Sequence, residues 1–295
     1  MATPLRVGLV GAGPWASAVH APGLAAHETV ALAGVFARRE AAARELTAAH
    51  GGSPCTSLTE LLERCDAVAF AVPPAVQADL AVRAAEAGKH LILEKPIAAD
   101  LAAAQRLRDA VDAAGVASIM MLILRYAEPT ASWLAAATAG GWAGGDLRWL
   151  SGALLGETAS RSPWRAAGGA LDDIGPHALD LLDATLGEIS DVLAAHRAPG
   201  DLWRLLFRHE GGATSTAALS LGLPMRPTVL ECAIYGEGGY HTISGKPASP
   251  ADAYAAVLDE FAELVATGAT QHPCDVRRGL HLQRILARAR ERALR

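Results

Sequence analysis

Along the first part of the chain, apolar runs of strand length alternate with longer stretches in which apolar residues recur at helical spacing. Leu5 to Val10 reads as a buried strand, followed by a glycine turn and a helix from about Trp15 to His27. Val30 to Phe36 is a second strand, Arg38 to His50 a helix closed by Gly51 and Gly52, and Ser57-Leu58-Thr59-Glu60 a capping box that opens another helix. Ala67 to Val72 is a third strand, ended by Pro73 and Pro74, and a helix from about Val76 to Ala87 stops at Gly88. His90 to Leu93 is a strand ending in Glu94-Lys95-Pro96, Asp100 caps a helix running to Ala114, and Val116 to Leu122 is one more strand. Strands and helices alternating at this spacing predict a parallel, doubly wound α/β sheet.

After about Leu124 the rhythm changes. Leu202 to His209 and Thr214 to Leu221 are separated by a glycine-bearing turn rather than a helix, and Val229 to Tyr235 and Tyr240 to Ser244 flank Gly236-Glu237-Gly238-Gly239. This hairpin grammar predicts an α+β C-terminal domain with a large, mainly antiparallel sheet, interrupted by one strong helix from about Gly169 to Leu186. Helices from about Ala251 to Thr267 and Val276 to Leu294 finish the chain. The expected division is residues 1–124 for the first domain and 125–295 for the second.

Composition narrows the partners more than the fold. The chain has 295 residues, too many for one comfortable core, and is 51% hydrophobic and 19% charged, which suits compact domains. A formal net charge of -5 gives no basic footprint for nucleic acid, and no uninterrupted apolar run is long enough to span a membrane. The four cysteines, Cys55, Cys65, Cys232 and Cys274, show no metal or disulfide spacing, so a reducing cytoplasm is expected. The opening residues imitate a secretory signal, but Gly11, Gly13 and Pro14 break the apolar stretch where a signal helix would continue. Lysine occurs only at Lys89, Lys95 and Lys246 in an arginine-rich chain, which singles out each lysine for inspection.

Those glycine breaks fall where a nucleotide turn needs them. Gly11-Ala12-Gly13-Pro14-Trp15-Ala16 follows a strand and opens a helix, the setting of a dinucleotide-binding Rossmann turn. Gly11 permits the tight turn, Gly13 lets a pyrophosphate approach the backbone, and Ala16 is small enough for helix and sheet to pack closely. At the end of the second strand, where an acidic residue would accept from a ribose 2′-hydroxyl, the chain has Ala37-Arg38-Arg39. A guanidinium there pairs with a 2′-phosphate, so NADP is expected in preference to NAD.

Glu94-Lys95-Pro96 after a strand, together with Gly168-Gly169-Ala170-Leu171-Asp172-Asp173-Ile174-Gly175-Pro176-His177, resembles the Gfo/Idh/MocA oxidoreductases, the glucose-fructose oxidoreductase and inositol dehydrogenase type. The resemblance extends to Asp66-Ala67-Val68, Gly88-Lys89-His90, Arg125-Tyr126 and His272-Pro273. It implies that Lys95, Asp173 and His177 border the substrate. Asp173 and His177, four apart on one predicted helix, would share a face, so the carboxylate can orient the imidazole as a general base while Lys95 stabilises negative charge on the oxygen. The expected cofactor contacts are Gly11, Gly13, Pro14, Trp15, Ala16, Arg38, Arg39, Pro73, Glu94 and Lys95. Arg125, Trp164 and Arg165 are further substrate candidates beside Asp173 and His177. The sequence departs from the family at Gln77, where many members carry histidine, and at Ile123, where many carry asparagine.

The expected activity is NAD(P)-dependent hydride transfer at a secondary hydroxyl or carbonyl of a sugar, cyclitol or small polyol. A non-catalytic nucleotide- or sugar-sensing regulator is the alternative on the same fold, and a methyltransferase is disfavoured by Glu94-Lys95-Pro96. A metal held by Asp173, His177 and Asp180 has thin support, so no metal is expected. Family resemblance also implies a homodimer or homotetramer formed through the C-terminal sheet.

Overall fold

The computed structural model describes residues 3–137, 140–156, 163–245 and 249–294. The chain divides into two compact units, Met1–Tyr126 with Ser249–His281, and Ala127–Ala248 with Leu282–Arg295.

The first unit is built on six parallel strands, β1 (Leu5–Val10), β2 (Val30–Phe36), β3 (Ser53–Cys55), β4 (Ala67–Phe70), β5 (His90–Leu93) and β6 (Ser118–Met120). Their order is β3-β2-β1-β4-β5-β6, so the direction of winding reverses between β1 and β4. Continuous apolar runs make these strands because both sheet faces are covered: Leu9, Val68, Phe70, Leu91 and Ile92 are fully buried. The covering helices are α1 (Ala21–Ala26), α2 (Glu40–His50), α3 (Leu58–Arg64), α4 (Pro74–Glu86) and α5 (Leu101–Ala114), and a short α6 (Ile123–Tyr126) follows β6. The expected capping box forms in part: Ser57 Oγ accepts from the Glu60 amide at 3.1 Å, while the Glu60 carboxylate reaches back to the Thr56 amide at 2.8 Å. Asp100 caps α5 by accepting from the Ala103 amide at 2.8 Å. The sequence reading missed β3, three residues long with a proline at its centre.

The second unit carries α7 (Glu128–Ala137), β7 (Trp142–Leu150), α8 (Pro163–Asp173), α9 (Gly175–Leu186), β8 (Ile189–Ala198), β9 (Leu202–His209), β10 (Thr214–Ser220), β11 (Val229–Gly236) and β12 (Gly239–Ser244). The sheet order is β12-β11-β7-β10-β9-β8, antiparallel except that β7 and β10 run parallel. Two of these strands escaped the sequence pattern. Gly144 and Gly145 imitate a turn inside β7, and two register shifts in β8 break its alternation.

The expected assignment of everything after residue 124 to one domain is corrected at the end of the chain. Helix α10 (Pro250–Thr267) and the opening of α11 (Val276–Ala293) group with the first unit. Tyr254, Val257, Leu258 and Phe261 of α10 are fully buried, and the segment before α11 is tied to β6 by Met120 N donating to Cys274 O at 2.7 Å. Among the described residues, no helix is long and apolar enough to cross a membrane.

Candidate functional site

The glycine loop leaves β1 with Gly11 at φ +117°, and a Cβ there would lie 2.4 Å from the Ala71 carbonyl oxygen, so only glycine fits. A Cβ on Gly13 would meet nothing within 4 Å, which leaves the backbone open to close approach by a ligand. Ala16 is fully buried. These are the features a pyrophosphate-binding turn requires, at the point where strand order reverses. The single helix expected over Trp15–His27 is instead a wide π-helical turn, Ala16–His20, leading into α1. Pro14 is exposed in the loop and Trp15 is half-buried.

At the end of β5, Glu94 is held from several sides. Trp15 Nε1 donates to Glu94 Oε1 at 2.6 Å, and the ring of fully buried His20 meets the same oxygen at 3.0 Å. The Lys95 amide donates to Glu94 Oε2 at 3.3 Å. Gln77, fully buried on α4, accepts from the Glu94 amide at 2.8 Å and donates to the Glu94 carbonyl at 2.7 Å. It also reaches the carbonyls of Pro96 and Ile97 at 3.3 and 3.1 Å. The departure at position 77 therefore builds the frame of the Glu94-Lys95-Pro96 turn, whose Lys95-Pro96 peptide is cis. Pro73, at the N-terminus of α4, is exposed.

Arg38 and Arg39 are exposed at the end of β2, and α2 begins only at Glu40, so Arg38 stands in the connecting segment rather than on the helix. Neither guanidinium is paired with a carboxylate among the described residues, and Glu40 is engaged by Arg44. Arg125 lies half-buried on α6, which begins at Ile123.

In the second unit the helix expected from Gly169 to Leu186 is corrected to two, α8 and α9, meeting at Ile174. Gly169 itself is not helical, with φ +62° and ψ -155°. Its conformation is clasped by Asp201, whose Oδ2 accepts from the Ala170 amide at 2.5 Å. Asp201, itself at φ +52°, is fixed in turn by Arg197 at 2.9 Å and Trp203 Nε1 at 3.1 Å. Asp173 closes α8, and His177 sits in the first turn of α9, so the two are not on one uninterrupted helix. Asp173 Oδ1 faces Arg165 Nε at 3.4 Å, and Arg165 lies over the Trp164 ring at 5.3 Å from its centroid. Buried His177 lies against Trp149 on β7, with ring centroids 6.1 Å apart. Asp172 is engaged by Arg290 of α11; burial pushes its carboxyl up while Arg290 pulls it down. Among the described residues, no group of three histidine, cysteine or acidic side chains is placed to hold a metal ion.

The predicted residues thus fall into two sets. The first unit contains Gly11, Gly13, Pro14, Trp15, Ala16, Arg38, Arg39, Pro73, Glu94, Lys95 and Arg125, and joins Trp15 to Glu94 directly. Trp164, Arg165, Asp173 and His177 are in the second unit, where Arg165 joins Trp164 to Asp173. Sequence reasoning missed His20, Tyr254, Asp201 and Arg290. Only Pro199-Gly200-Asp201 carried a local signal, that of a turn.

A family model described as "Oxidoreductase family, NAD-binding Rossmann fold" matches residues 5–121, and one described as "GFO/IDH/MocA C-terminal domain" matches residues 105–242. The chain is 36% identical over 108 residues to a dTDP-3,4-didehydro-2,6-dideoxy-alpha-D-glucose 3-reductase of Actinomadura kijaniata, covering 36% of this chain and 32% of that protein. It is 32% identical over 189 residues to the protein of the same name from Streptomyces violaceoruber, covering 62% of this chain and 55% of the relative. The matched segments therefore span from about a third to about half of these relatives. The fold is also that of the WlbA dehydrogenase from Bordetella pertussis, solved in complex with NADH and UDP-GlcNAcA, with a TM-score of 0.87 at 24% identity over 99% of this chain and 97% of that one.

Proposed function

We propose, because the chain belongs to the Gfo/Idh/MocA oxidoreductase family, that it transfers hydride between a nicotinamide cofactor and a secondary hydroxyl or carbonyl of a sugar, cyclitol or related small polyol. The observation that carries this most is the 2.6 Å hydrogen bond from Trp15 to Glu94, which ties the strand end bearing Lys95 to the glycine loop. The substrate class is supported by similarity to sugar reductases, over part of their length.

Gly11, Gly13 and Ala16 would receive the pyrophosphate, with Pro14, Trp15, Pro73, Glu94 and Lys95 around the rest of the cofactor. When bound, the cofactor accepts or delivers the hydride. Lys95 binds the reacting oxygen and stabilises the negative charge that develops on it. His177 removes the hydroxyl proton during oxidation and returns it during reduction, and Asp173, braced by Arg165, orients the imidazole. Arg125, Trp164 and Arg165 bind substrate oxygens and a ring face. Because His177 works as a base in its neutral form, oxidation slows toward acid pH. Exposed Arg38, with no carboxylate at the end of β2, favours NADP over NAD.

The outer face of the second unit's sheet carries a broad concavity of about 870 Å³ whose lining includes Arg148 and Glu231, 3.0 Å apart, and none of the catalytic candidates. This face suits pairing with a second copy, giving a homodimer or homotetramer, and light scattering that finds only monomer would refute it. The buried thiols suit a reducing compartment such as the cytoplasm.

The activity is tested by screening sugars and polyols with NADP and NAD, then repeating the best pair with Lys95→Ala and His177→Ala. His177→Ala should keep cofactor affinity, Lys95→Ala should also weaken it, and each should lose at least about a hundredfold in turnover. Unchanged turnover in both removes these residues from the mechanism.

A further inference from the structure

The π-helical turn after the glycine loop brings His20, which the mechanism leaves unused, to the same carboxylate as Trp15. Its bonding runs from Ala21 N to Ala16 O, five residues apart, which brings side chains five apart closer to one face than a regular α-helix does. In a regular α-helix they would point about 140° apart. Trp15 and His20 are such a pair, and both contact Glu94 Oε1. The other ring nitrogen of His20, Nδ1, lies 3.1 Å from the hydroxyl of Tyr254 on α10. His20 and Tyr254 are both fully buried.

The hydrogen-bond directions follow from the chemistry. An ionised Glu94 can only accept, so Trp15 Nε1–H and His20 Nε2–H both donate to it. Neutral His20 then has Nδ1 as an acceptor, and the Tyr254 hydroxyl must donate to it. Burial, and then the Glu94 charge, push the Tyr254 phenol well above its ordinary range, so it keeps that proton. We infer that Tyr254 and His20 are positioning residues that complete a chain to Glu94 and Trp15, fixing the indole that follows the glycine loop and thereby setting affinity for the nicotinamide cofactor. The inference rests on the proposed cofactor, but the chain itself can be observed without it.

The test uses the full chain and the variants Tyr254→Phe, His20→Leu and His20→Gln. In the absence of cofactor, nitrogen NMR should find His20 as the Nε2–H tautomer. The Trp15 indole proton, assigned by its loss in Trp15→Phe, should exchange slowly. Tyr254→Phe, which keeps the ring and the fold, should speed that exchange and weaken NADH and NADPH binding, each by about five- to tenfold. His20→Leu should do so more strongly, and His20→Gln, whose amide can still donate to Glu94, should recover part of the loss. An Nδ1–H tautomer overturns the chain. Cofactor affinity unchanged within twofold in both Tyr254→Phe and His20→Leu overturns the positioning role. Failure of the parent protein to bind either cofactor refutes the proposed function and with it the cofactor half of the inference, while tautomer and exchange still decide the chain.

Discussion

The two units fix their candidate chemical groups in different ways. In the first, the glycine loop and the Glu94-Lys95-Pro96 turn follow directly from the ends of β1 and β5, and backbone geometry is the main constraint: Gly11 is locked under the Ala71 carbonyl. In the second, the segment bearing Asp173 is held by a side chain from a distant hairpin, since the carboxylate of Asp201 clasps the Ala170 amide. A backbone wall cannot yield, whereas a side-chain clasp can move aside. The same substitution should therefore have different consequences in the two places.

Gly11→Ala gives the largest expected effect. Its Cβ would lie 2.4 Å from a backbone oxygen at φ +117°, so thermal or denaturant unfolding should show a loss of about 3 kcal/mol, with cofactor binding abolished. Gly169→Ala places its Cβ against Asp201 Oδ2, which can move aside only by giving up the Ala170 amide, and should cost about 2 kcal/mol. It should lower turnover and leave cofactor affinity intact. Equal losses of stability in the two variants would erase the contrast between them.

Asp201→Ala should destabilise by about 2 kcal/mol, because it leaves the Ala170 amide and the Trp203 indole without their acceptor, and it should reduce turnover without changing NADPH affinity. An effect on cofactor affinity larger than that on turnover would contradict this assignment. Arg38→Ala should weaken NADPH binding about tenfold and leave NADH binding unchanged. Equal effects on both cofactors would remove Arg38 from 2′-phosphate recognition.

The smallest effect concerns Asp66, the residue before β4. Its hydrogen bond with Arg6 holds its carboxyl below the ordinary value of 3.8. A lowered folded pKa means that the contribution to stability is present above the unfolded value and lost as pH falls through the folded one. Asp66→Asn should slightly flatten the acid side of the stability profile, because both partners are substantially exposed. No change in slope would mean that the pair contributes nothing.

The same contrast explains what the sequence could reveal. Strand-turn-helix patterns around Gly11 and Glu94 are local, so the parallel sheet and the turns at the ends of β1 and β5 were legible. The hairpins β9–β10 and β11–β12 were legible from their glycine turns. Strand β7 was hidden by Gly144 and Gly145, and β8 by its register shifts. The break at Ile174 was hidden because residues 169–186 read as one apolar helix. His20, Tyr254, Asp201 and Arg290 acquire their roles only through contacts distant in sequence, and α10 gave no sign that it groups with the first unit. The π-helical turn at Ala16–His20 has no sequence signature of its own.

The central claim is that the glycine loop binds a nicotinamide cofactor and that Arg38 selects NADP. It is tested most directly by equilibrium titrations of the purified chain with NADPH and NADH in the absence of substrate, followed by cofactor fluorescence. Saturable binding of both, tighter for NADPH, is the expected result; binding of neither would contradict the claim.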